Sequence, residues 1–150
     1  MNPTVTFLKT QIGLTTDKSP SPVGAWLNGT FLEVEEGKLS VEYTVRSEMC
    51  NPAAMLHGGS IALICDEMIG IAVYSLHLPD FFTTININVD FLYGVKCGEK
   101  IKAVSEIVRQ GKNVIHAQCH VYDFAGKLLA KSSSNLIRTS NQKGGAKERF

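Results

Sequence analysis

The chain has 150 residues, 44% hydrophobic, 8% aromatic and 19% charged. That is one domain's worth, able to bury roughly 68–70% of its unfolded surface, which excludes disorder for the bulk and any need for disulfide staples. The 15 Lys and Arg against 14 Asp and Glu leave a net charge of +1, too little to mark nucleic acid or an anionic membrane as a partner.

Residues 1–22 read as a short amphipathic segment, followed by two strands at about 25–35 and 38–47. The second alternates through Leu39, Val41, Tyr43 and Val45, and a Glu-Glu-Gly-Lys turn at 35–38 separates the pair. A helix follows over about 58–77. Its apolar stretch carries Asp66 and Glu67 in the middle and barely reaches the minimum length for a membrane span, so no crossing is expected. Ile61, Leu63, Ile64, Met68, Ile69, Ile71 and Val73 cover every face of it, which predicts a buried helix with a sheet wrapped around it.

Four more strands run through about residue 139. The alternations Ile85, Ile87, Val89, Phe91 and Ile115, Ala117, Cys119, Val121 mark half-buried strands, and short Gly-containing links imply antiparallel hairpins. The expectation is an α+β domain over 23–139 and a Gly-rich, charged tail at 140–150 that frays into solvent. Cys50, Cys65, Cys97 and Cys119 form no C-x-x-C pair, and the N-terminus has neither a basic region nor an apolar one. A reducing, cytoplasmic address is therefore expected.

The chemistry concentrates in residues 51–67, NPAAMLHGGSIALICDE. Gly58 and Gly59 stand at a helix start, where unpaired N–H groups and the positive dipole end suit an oxyanion or a polarised carbonyl. The same glycines also suit a tight turn against neighbouring backbone. Asp66 and Glu67 lie two turns into an apolar helix, where desolvation would raise their pKa toward the range of a general base. Adjacent helical residues point about 100° apart, so one is expected to be functional and the other structural. The polar stripe Thr84, Asn86, Asn88, Asp90 reads as a solvated or subunit-facing surface, with Thr84 at its start able to reach a site.

Other chemistries are disfavoured. His116 and His120 share a strand face but stand roughly 13 Å apart, too far for one ion, and no metal site is expected. Gly58-Gly59-Ser60-Ile61-Ala62 misses the G-x-S-x-G elbow and lacks the surrounding βαβ alternation. No nucleotide-binding glycine pattern is present.

The run Asn51, then His57-Gly58-Gly59, then Asp66, with a hydroxyl residue at Thr84, resembles the hotdog-fold acyl-CoA thioesterases of the phenylacetic acid degradation type. The resemblance covers about residues 23–139 and implies a sheet wrapped around one central helix. It implies Asp66 as the catalytic carboxylate, nucleophile or general base on water. Gly58 would donate its N–H to the thioester carbonyl, Asn51 would polarise it or orient water, and Thr84 would position water or substrate. His57, Gly59 and Glu67 complete the candidate substrate-binding set, with His57 holding the helix start and Glu67 carrying no role from the resemblance. Where the family has a glycine three residues before the histidine, this chain has Ala54. The implied substrate is an acyl-CoA, with no metal or organic cofactor.

Helix arithmetic adds a partner. Gly58 and Asp66 are separated by a rise of about 12 Å and a net rotation of about 80°, so they cannot serve one carbonyl from one chain. An antiparallel helix pairing about a two-fold axis predicts a homodimer with two shared sites, extendable to a dimer of dimers. The rivals are a hotdog hydratase or dehydratase acting on acyl thioesters, and a non-catalytic acyl-CoA-binding domain.

Overall fold

The computed structural model describes residues 1–139; the tail expected to fray at 140–150 lies outside the described residues. Helices α1 (Pro3–Lys9) and α2 (Pro22–Leu27) precede strands β1 (Thr30–Glu35) and β2 (Lys38–Thr44). The long helix α3 (Gly58–Ser75) is followed by β3 (Phe81–Phe91), β4 (Lys100–Gln110), β5 (Val114–Asp123) and β6 (Leu128–Thr139). The strands form one antiparallel sheet in the order β1-β2-β4-β5-β6-β3 around α3, the α+β arrangement that the resemblance implies.

The strand expected from about residue 25 begins only at Thr30. Residues 22–27 carry complete helix punctuation instead: Ser21 accepts from the Gly24 N–H, Pro22 sits in the first turn, and Asn28 closes the helix at φ 50°. Those caps outweigh the β-propensity of Val23 and Trp26.

Expectation and structure differ most informatively at α3. Ile61, Ile64, Cys65, Met68, Ile69, Ala72 and Ser75 are buried, and the spacing of these residues defines one face turned to the sheet. Beneath it Tyr43 donates its hydroxyl to the Met68 sulfur at 3.4 Å, and Ile115, Ala117, Cys119 and Val121 of β5 supply the facing wall. Each large apolar side chain fully buried here contributes about 1.5–3 kcal/mol. Asp66, Gly70 and Tyr74 stay exposed on another stripe, because the sheet of one chain covers only one side of the helix. By length and composition α3 could cross a membrane, and here its buried face packs against this sheet.

A second difference concerns β3, an edge strand paired on one side to β6. Its register shifts between Thr84 and Asn86, so that Thr84 faces Leu136 across the ladder while Ile87 and Val89 face Ser134 and Ser132. This bulge reverses the alternation. Phe82, Thr84, Ile87, Val89 and Phe91 share the helix side, whereas Asn86, Asn88 and Asp90 point outward. Thr84 therefore leaves the polar stripe on which strict alternation puts it.

Candidate active site

The bulge brings Thr84 to Asp66. The Thr84 hydroxyl donates to the Asp66 carboxylate at 2.9 Å, across a sequence separation of 18 residues. Asp66 is exposed rather than buried, unlike the neighbouring Cys65 and Met68. One carboxylate oxygen is fixed by Thr84, and the group stands open for a water or a substrate atom.

Glu67 follows the other path from the same helix. It accepts from Ser21 Oγ at 3.1 Å and lies against Gly24, where a Cβ would collide with its carboxylate. Burial pushes the Glu67 carboxyl above the ordinary carboxylate value, opposed by the Ser21 hydrogen bond and reinforced by the neighbouring Asp66 charge. In this chain Glu67 ties α3 to α2 and does not meet Asp66 or Thr84 in any described hydrogen bond.

The remaining candidates gather at the start of α3. His57 is the N-cap, and its Nδ1 accepts from the Gly59 N–H at 2.8 Å. That leaves the Gly58 N–H without a hydrogen-bond partner among the described residues, as expected for the first turn of a helix. The ring of Phe91 lies over Gly58, and a Cβ there would stand 3.3 Å from it, a tight contact that glycine avoids.

Asn51 organises the preceding loop. Its Oδ1 accepts from the Ala53 N–H at 3.0 Å and the Met55 N–H at 3.1 Å, which leaves its amide N–H groups available. The loop passes through Ala54 at φ 57°, a left-handed conformation that glycine adopts without strain. Ala54 thus holds a backbone form that a glycine at this position favours. Across the loop, Cys97 N–H donates to Ala54 O at 3.0 Å and Leu56 N–H to Val95 O at 2.7 Å, fixing it to the segment before β4.

Two groups result within one chain: Asp66 with Thr84, and Asn51 with His57, Gly58 and Gly59 at the helix start. About 12 Å of helix separates them. Among the described residues no cluster of three His, Cys, Asp or Glu side chains has metal-binding geometry. The sequence reading missed a cavity of about 340 Å³ beside the first group, lined by Gly70, Val73, Tyr74, Phe82 and Leu136 among others. Its signal was Gly70, an unexplained glycine in a helix interior.

The family model described as the thioesterase superfamily matches residues 53–130. Human acyl-coenzyme A thioesterase 13 is 26% identical over 103 residues, covering 68% of this chain and 74% of the relative. Among solved structures, the E. coli PaaI protein from the phenylacetic acid degradation operon superposes with a TM-score of 0.76 at 20% identity, covering 83% of this chain and 88% of its own. A Streptococcus mutans protein bound to acetyl-CoA gives 0.71 at 22% identity, covering 77% of this chain and 92% of its own. The fold is the hotdog fold.

Proposed function

Because the chain belongs to the thioesterase superfamily, we propose that it hydrolyses an acyl-CoA thioester to a carboxylic acid and free CoA, as a cytoplasmic homodimer and without metal or organic cofactor. The observation that carries this reading is the exposed Asp66 carboxylate, oriented by the Thr84 hydroxyl at 2.9 Å on a mostly apolar helix. The human relative's name and the acetyl-CoA bound by the Streptococcus mutans neighbour support the substrate class.

In this mechanism Asp66 supplies the attacking oxygen, either its own or that of a water whose proton it takes. The oxygen adds to the thioester carbon, and the developing oxyanion accepts from the Gly58 N–H of a second copy, assisted by the Asn51 amide. The carbon–sulfur bond then breaks with its electron pair on sulfur, which takes up a proton to leave as the CoA thiol. In the route where Asp66 attacks, water hydrolyses the resulting anhydride, so both routes consume one water. The edge of β3, an 11-residue strand bonded only to β6, supports pairing with a second copy, since an open strand edge invites association.

Release of free thiol from a panel of aliphatic and aromatic acyl-CoAs, without added metal, tests the activity. No thiol above background on any substrate would sink the enzyme reading in favour of a binding domain. The shared site is tested by mixing. Asp66→Asn and Asn51→Ala homodimers each have both sites damaged, whereas a heterodimer has one site carrying both changes and one carrying neither. Random re-pairing makes about a quarter of all sites intact, so activity near a quarter of wild type should return. If heterodimers confirmed by mass stay inactive, Asn51 and Asp66 do not act across the interface.

A further inference from the structure

We propose that Asn86 is a positioning residue for the thioester chemistry: it locks the β3 bulge that turns Thr84 toward Asp66, and it acts on turnover through Thr84. This inference rests on the hydrolase reading above.

Thr84 meets Asp66 because β3 has one residue too many opposite β6. Thr84 pairs with Leu136 and Asn86 with Asn135, which leaves Ile85 without a cross-strand partner. A ladder without that extra residue would put Thr84 on the outward face, since a slip of one residue turns the side chains over. Apolar burial within the chain does not account for the bulge. It buries Phe82 but leaves Phe81 66% and Ile85 55% exposed, whereas strict alternation would turn the latter two inward together. A directional hold is needed.

Asn86 supplies it, gripped from both faces of the sheet. On the outer face its Oδ1 accepts from the Asn135 backbone N–H at 3.2 Å and from Asn135 Nδ2 at 3.2 Å. On the core face the Ser134 hydroxyl, on a fully buried side chain, donates to the Asn86 carbonyl at 2.8 Å. A backbone N–H can only donate, so the first bond fixes which end of the Asn86 amide faces β6. Asn135 must then turn its own amide nitrogen to Asn86 and its Oδ1 to His116 Nδ1, 2.9 Å away, which makes that ring nitrogen the donor. These partners all belong to β5 and β6 of the same chain, so a second copy against α3 or the β3 edge need not disturb them.

The neighbours on the outward stripe do not share this role. Asp90 lies 4.0 Å from Lys131, beyond the bulge, and Asn88 makes no side-chain hydrogen bond among the described residues. Asn86 itself points away from Asp66 and touches no reacting atom, so its effect on chemistry passes through the Thr84 hydroxyl. It uses only an acceptor oxygen, because its amide nitrogen makes no hydrogen bond among the described residues.

The experiment measures kcat and KM on the acyl-CoA that wild type turns over fastest in the panel above. The variants are Asn86→Ala, Asn86→Asp, Ser134→Ala and the Asn86→Ala/Ser134→Ala double variant, in the wild-type and Thr84→Val backgrounds. In the proteins that keep Thr84, the NOE between its methyl group and the Asp66 β-protons reports whether it still faces α3. The double variant should lose the NOE and roughly tenfold or more in kcat, with KM within about twofold. Asn86→Asp keeps both acceptor contacts and should stay within about twofold of wild type, where Asn86→Ala loses about threefold or more. In the Thr84→Val background the double variant should change kcat by less than about twofold, since no hydroxyl is left to position. Asn88→Ala is the control and should match wild type throughout. Should the double variant fail to fold, the single variants carry the same comparisons. Retention of both kcat and the NOE without the grip, an Asn86→Asp protein as slow as Asn86→Ala, or an equal loss of kcat in the Thr84→Val background would each overturn the positioning role. If wild type turns over no acyl-CoA and the NOE still disappears with the grip, the hydrolase reading falls and the hold on Thr84 stands.

Discussion

The two sides of α3 are built by opposite means. On the sheet side Ile64, Cys65, Met68, Ile69 and Ala72 are all 0% exposed, and the interaction is the non-directional burial of apolar area. On the other side Asp66, Gly70 and Tyr74 recur every four residues and remain open, Tyr74 at 58% exposure. There the structure depends on a single directional contact, from Thr84 to Asp66. A helix that is apolar all round by composition therefore has one side committed to its own chain and one side that its own sheet leaves open. The first side should govern stability and the second turnover.

The sharpest way to break that division is to exchange the effects. Asp66→Asn keeps the size of the side chain and its capacity to accept from Thr84, but removes both nucleophile and base. Turnover should fall by about 10²–10⁴-fold, while the urea midpoint of unfolding stays within experimental error of wild type. Ile64→Ala, on the sealed side, should do the reverse: a loss of about 2–5 kcal/mol in unfolding free energy, with kcat per folded molecule retained. An Asp66→Asn protein that keeps its activity, or an Ile64→Ala protein that loses kcat without losing stability, contradicts the assignment of the two faces.

How much of this was legible beforehand follows the same line. The period-two runs around Val41 and Cys119 locate their strands because one face of each is buried, and the cluster Asn51, Gly58, Asp66 and Thr84 stands out by residue type. Periodicity says nothing about what covers an apolar face. It could not tell that the stripe through Gly70 stays open, nor that desolvation would act on Glu67 and leave Asp66 exposed. It also assumes an unbroken pleat, so the bulge after Thr84 was invisible, and with it the switch that turns Thr84 toward α3. The α2 helix was readable in Ser21, Pro22 and Asn28, but six residues of capping signal compete poorly with a β-like run when read alone.

The adjacent carboxylates refine the comparison at smaller scale. Burial holds the Glu67 carboxyl above its ordinary value, so its contribution to stability is fully present in acid, below the unfolded carboxylate value of 4.5, and is lost as pH rises through the raised folded value. Glu67→Gln keeps an acceptor for Ser21 and has no charge to desolvate. Relative to wild type, the variant should gain stability on moving from acid to neutral pH, by a small amount because the group is half exposed. Its activity should change far less than that of Asp66→Asn. Thermal unfolding scanned across pH would show the opposite trend if Glu67 were stabilised in its charged form.

The smallest effect lies in the loop that carries Asn51 and leads into the start of α3. Ala54 holds φ 57° there, where a Cβ costs about 1–2 kcal/mol against the following carbonyl. Replacing it with glycine removes that strain but returns about 0.4–1 kcal/mol of unfolded-chain entropy, so Ala54→Gly should stabilise the protein by on the order of 0.5–1 kcal/mol. The loop is otherwise fixed by the Cys97-to-Ala54 and Leu56-to-Val95 backbone bonds and by the Asn51 carboxamide, none of which needs the alanine methyl. Turnover should consequently stay within about twofold of wild type. Urea unfolding measures the first quantity and thiol release the second. A destabilised Ala54→Gly would mean that the methyl contributes packing outweighing the strain. A stabilised variant with turnover sharply reduced would mean that strain in this loop sets the position of Asn51, joining the loop's energetics directly to the chemistry on the open side of α3.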